Sequence, residues 1–135
     1  MGDLKTHISA LATALVLFTG PAIAMPDAAK EQAQIFASCL GRYSAAREHA
    51  WLMGGEDVQA QAAFDLFQDL LDAVSYDAMS EGLTGKRLLA KRIEAKMAQA
   101  QLMQAATFQT DPQRRLNSGR MARHHLAACK TLVLG

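Results

Sequence analysis

Long apolar runs, aromatic residues and β-branched residues are all scarce in this chain, and only 6% of its 135 residues are aromatic. Each scarcity excludes something. The longest apolar run, Ile8–Phe18, falls well short of the ~20 residues that a membrane-spanning helix needs. Too few β-branched residues set against abundant alanine disfavour a sheet and favour helix. Aromatics are not interleaved with the basic residues, which argues against single-stranded nucleic acid as a partner. No fixed-period repeat is visible, which argues against a solenoid. The chain also lacks a G-x-S-x-G elbow, an H-E-x-x-H pair, a phosphate-cradling glycine loop and the E-x-x-H pairs of di-iron bundles. Neither of the two cysteines begins the C-x-x-C-H segment that attaches a c-type haem.

What is present begins with an export leader. Lys5 precedes the apolar Ile8–Phe18 run, although Asp3 offsets its charge. Gly20-Pro21 then breaks any helix, and Ala22-Ile23-Ala24 has the small-x-small form of a signal-peptidase site. Residues 1–24 are therefore expected to be a cleaved signal peptide and 25–135 a single periplasmic domain with no transmembrane segment. In that oxidising compartment Cys39 and Cys129 are expected to form one disulfide, the alternative being two buried thiols.

Four helical runs fill the domain. The first, Asp27–Met53, is capped by the Asp27 carboxylate and stopped by Gly54-Gly55. At 100° per residue, Phe36, Cys39, Tyr43, Ala46 and Ala50 share a face with Leu40 at its edge, and Arg47 falls on the same side. The second run starts at Glu56-Asp57 and is read to Val74. Its apolar face is Ala63, Leu66, Phe67, Leu70 and Val74, and Asp65, Asp69 and Asp72 form a solvated one. Ser75–Thr84 reads as a loop. The third run, Gly85 to about Gln109, is assigned the face Leu89, Ile93, Met97, Ala100 and Gln104. Asp111-Pro112 opens the fourth, which places Leu116, Gly119, Ala122, Leu126, Cys129 and Val133 together. The expected fold is all-α, an antiparallel up-down-up-down four-helix bundle with one disulfide, its first and last helices side by side.

Charge is divided along the chain. Met25–Glu81 holds ten acids and three bases, a net of −7, whereas Gly82–Gly135 holds two acids and ten bases, a net of +8. On one reading the two hairpins attract each other and need no partner. On the other, basic residues including Lys86, Arg87, Arg114, Arg115, Arg120 and Arg123 meet an envelope protein or an anionic envelope surface. Arg42, His49 and Trp51, on the first helix, either extend such a patch or line a boundary with the second hairpin.

The segments CLGRYSAAREHAWLM and RIEAKMAQAQLMQAATFQTDP resemble small exported helical proteins of proteobacteria with no assigned activity. That resemblance covers most of the expected domain and implies no catalytic residue. The sequence thus points to a non-enzymatic binding module of the cell envelope that requires no cofactor. The alternative is a small-ligand, haem or metal-binding bundle in which His125 pairs with Met121 or Met97.

Overall fold

The computed structural model describes residues 25–134, so the expected leader lies outside the described residues. It contains four α-helices: α1 (Ala29–Leu52), α2 (Val58–Ser80), α3 (Gly85–Phe108) and α4 (Pro112–Leu134). They form an antiparallel up-down-up-down bundle. α1 lies at its centre, packed along both α2 and α3, and α4 packs on α3. α1 and α4 meet over a shorter stretch, where the Cys39–Cys129 disulfide joins them with a Cα–Cα distance of 5.6 Å across 90 residues of sequence. Beside it the Tyr43 hydroxyl donates to the Leu126 carbonyl at 3.0 Å.

Local chemistry sets the helix ends. Asp57 caps α2 by accepting from the Ala60 N–H, Thr84 caps α3 through the Arg87 N–H, and Asp111 accepts from Gln113 and Arg114 ahead of α4. α1 and α2 end alike. Gly54 and Gly82 adopt positive φ (81° and 87°), and the following residue donates back to Ala50 or Ala78 at 3.0 Å.

Two boundaries depart from the sequence reading. Asp27 does not cap α1, whose N-cap is Ala28 with no side-chain bond; Glu81 at the end of α2 instead accepts from the Lys30 N–H at 2.8 Å. Residues 75–80, read as loop, continue α2. Ser75 and Ser80 return their hydroxyls to the carbonyls of Leu71 and Asp77, which lets a helix carry them, and Ala78 is fully buried. The helix stops only where Gly82 supplies the left-handed turn.

The core contains Phe36, Leu40 and Tyr43 of α1, Phe67 and Leu71 of α2, Leu83 of the turn, Leu88 of α3 and Cys129 of α4. Tyr43 stacks on Phe67 with ring centroids 5.8 Å apart, and Phe36 meets the same ring at 6.2 Å. Burial of Phe67 alone contributes roughly 1.5–3 kcal/mol. α3 buries a face other than the one assigned to it. Leu88, Ala95 and Gln99 point inward, while Leu89, Ile93 and Met97 are each at least half exposed. α1 and α3 approach backbone to backbone at one point, where a β-carbon on Gly41 would overlap the Arg92 carbonyl oxygen, and the small Ala95 is the inward residue nearest that point. Leu66 of α2 and Leu116 of α4, also assigned inward, are exposed as well, and Leu71 takes the core position on α2.

Candidate functional site

The acidic and basic halves of the chain make little direct ion-pair contact among the described residues. α2 and α3 flank α1 on different sides, and among the described residues the carboxylates of Asp65, Asp69 and Asp72 have no basic side chain in ion-pair contact. Among the described residues one ion pair crosses between the halves, from Lys96 to Glu48 at 2.6 Å. The halves also meet through an aromatic ring. Arg47 of α1 places its guanidinium 3.9 Å from the centroid of Phe64 on α2, and Arg92 of α3 approaches that ring at 5.7 Å. Arg47 also lies 5.1 Å from the Trp51 ring, yet its buried Nε has no hydrogen-bond partner among the described residues. An arginine on the apolar side of α1 is thus accommodated by ring faces rather than by an acid.

The residues grouped as one patch separate into three. Arg42 is half-buried between α1 and α3, where it donates to the Gln99 side chain at 3.3 Å; Gln99, fully buried, donates in turn to the Ala122 carbonyl at 3.1 Å. Burial lowers the Arg42 pKa from its ordinary value. His49, also half-buried, shares a hydrogen bond with Thr107 at 3.1 Å. Both are struts between α1 and α3. Trp51 is exposed and keeps company with Arg47 instead. The basic residues are exposed on α3 and α4 but distributed along them. Lys86 and Arg87 open α3, and Arg114 and Arg115 open the antiparallel α4. The two pairs therefore lie at opposite ends of the helix pair, separated by roughly 35 Å of helix. Arg120 and Arg123 lie between these ends. The arrangement is a basic ridge rather than a compact patch.

His125, Met121 and Met97 do not converge in a core. Met97 and Met121 are each about half exposed, on α3 and α4. His125 is half-buried near Arg42. Its pKa is lowered by burial first, then by the positive charges of Arg42 and His124, an environment that also disfavours a cation. No group of three or more His, Cys, Asp or Glu side chains among the described residues is placed to hold a metal ion.

One recess of appreciable size opens where α2 and α4 flank α1 without packing along each other. It has a volume of ≈ 500 Å³, with Tyr43 and Phe67 among the residues that line it. None of His125, Met121 and Met97 lines it. Sequence reading missed this groove, because the signal is the combination of small residues on one helix (Ala60, Ala62, Ala63) with a neighbour that does not close over them.

No helix among the described residues is long and apolar enough to cross a membrane. Compared with protein-family models, curated proteins and solved structures, the chain gives no match.

Proposed function

We propose that the protein is an exported, non-enzymatic binding module of the cell envelope that engages an anionic envelope surface through the ridge on α3 and α4. The observation that carries this reading is the separation of charge: Lys86, Arg87, Arg114, Arg115, Arg120 and Arg123 are exposed on α3 and α4, and among the described residues none forms an ion pair with the acids of α2. Lys86, Arg87, Arg115, Arg120 and Arg123 form no ion pair among the described residues; like charges on one flank repel each other, and a counter-charged surface relieves that repulsion. The exposed Leu89, Ile93 and Met97 on α3 add an apolar stripe suited to the headgroup region. The Cys39–Cys129 disulfide supports a location outside the cytoplasm, since such bonds persist in oxidising compartments.

Co-sedimentation with phosphatidylglycerol vesicles tests the proposal. The chain from Met25 onward should pellet with these vesicles at low salt, far less at high salt, and not with phosphatidylcholine vesicles. The double substitution Arg120→Glu and Arg123→Glu should abolish most of the binding while leaving the thermal midpoint near its original value. Equal sedimentation of both forms would refute the proposal.

A further inference from the structure

The groove between α2 and α4 is independent of the basic ridge. Its floor is the stacked pair Tyr43 and Phe67, one wall is the alanine-rich first half of α2 with Leu66, and the other is formed by Leu126, Ala127 and Val133 of α4. Its volume of ≈ 500 Å³ lies within the range of about 300–1,000 Å³ typical of small-molecule sites. Two of the polar groups along it are already used by the fold. The Tyr43 hydroxyl donates to Leu126, and Asp57 caps α2 through the Ala60 N–H. Burial, with the negative charge of Asp57, raises the Tyr43 pKa, so the phenol stays neutral and keeps that bond. Lys130 is different. It lines the groove from α4, is exposed, and forms no ion pair among the described residues.

We infer that this groove binds a single-chain anionic amphiphile, a fatty-acid carboxylate, with the alkyl chain along Phe67, Leu66 and Leu126 and the carboxylate at the Lys130 ammonium. Apolar walls and a cation that pairs with no acid among the described residues select this chemistry, because the other charge on the groove, the Asp57 carboxylate, is engaged as the α2 cap. A neutral alkyl chain would leave Lys130 without a counter-ion, and a cationic one would be repelled by it. Each further methylene buried should strengthen binding about fourfold, so affinity rises with chain length until the groove is full.

Calorimetric titration of the chain from Met25 onward with decanoate, laurate and myristate, each below its micellar concentration, tests this inference. Saturable one-to-one binding that strengthens with chain length is expected. Dodecyltrimethylammonium should bind more weakly than laurate. Lys130→Gln should weaken laurate about two- to fivefold, as expected for one exposed charge. Ala127→Trp, a substitution at an exposed wall position, should block binding with the helical circular dichroism unchanged. Should Ala127→Trp alter the fold, Ala62→Trp on the opposite wall serves the same purpose. The Arg120→Glu and Arg123→Glu double variant should bind laurate like the parent, which separates this site from the ridge. Absence of saturable heat would overturn the inference, as would unchanged binding in both tryptophan variants or equal affinity for the cationic amphiphile. Finding the groove occupied by a second copy, as a dimer that laurate does not dissociate, would do the same.

Discussion

Gly41 of α1 faces the Arg92 carbonyl of α3 so closely that a β-carbon there would overlap the oxygen and lie 3.1 Å from the Lys96 nitrogen. Both obstacles are backbone, so neither can swing aside. Alanine in place of glycine inside a helix ordinarily stabilises by roughly 0.5–1 kcal/mol. Here the sign should reverse. Gly41→Ala is expected to cost about 1–3 kcal/mol in urea denaturation, the scale of overpacking a tight interface, and Gly41→Val more. A stabilised Gly41→Ala variant would contradict the close approach.

The second prediction concerns the sulfur link. Replacing Cys39 and Cys129 by serine, or reducing them, should cost about 2–5 kcal/mol in chemical unfolding. The loss should appear first in α4, which packs on α3 and meets α1 only over the short stretch around this link and the Tyr43–Leu126 bond. Amide exchange read along the chain would show Ala122–Leu134 opening ahead of α1.

Arg47 and Phe64 provide the third. Their stacked geometry predicts a coupling of about 0.5–2 kcal/mol in a double-mutant cycle of Arg47→Met, Phe64→Leu and the pair. Methionine preserves the aliphatic contact while removing both the charge and the unpartnered Nε. Zero coupling would mean that the guanidinium merely covers the ring.

Glu81 gives a fourth. Its carboxylate reaches from the end of α2 to the second residue of α1, a capping bond between helices. Glu81→Ala should destabilise by about 1 kcal/mol, with the largest increase in amide exchange at the first turn of α1. Asp27→Ala should have little effect, because Asp27 contributes no cap.

A fifth concerns pH. The His125 imidazole binds its proton less readily when folded than when unfolded, because burial and the nearby Arg42 and His124 oppose its charge. The unfolded chain therefore takes up more protons as pH falls through the ordinary histidine value of about 6.5. Stability due to this group is present above that value and is lost as pH drops toward the depressed folded value. Thermal midpoints should decline across that window, and His125→Gln should flatten the decline.

Most of the bundle was legible in the sequence, because its signals are local. Asp111-Pro112, Gly54-Gly55 and the Phe36–Cys39–Tyr43 spacing each act within a turn or two of chain. The errors arose where a distant element decided the outcome. α3 carries large apolar residues on the side away from the core, and Leu89, Ile93 and Met97 attracted the periodicity argument. Ala95 lies inward beside the close approach at Gly41, and Gln99 is held inward by its bonds to Arg42 and the Ala122 carbonyl. Glu81 replaced Asp27 as a cap across 51 residues, a pairing invisible to any local rule. For Arg42 and His49 the spacing left two readings, a recognition patch or a boundary with the second hairpin, and only their partners Gln99 and Thr107 on α3 choose the boundary.

The three connections of the bundle all lie inside the ring that Cys39 and Cys129 close. A protease that cuts at any of them leaves two peptides still fastened to one another. Such a molecule should migrate as one band on a non-reducing gel and as two after thiol treatment. Damage at an exposed turn therefore need not release a helix, and the central α1 keeps its outermost neighbour within reach to re-dock.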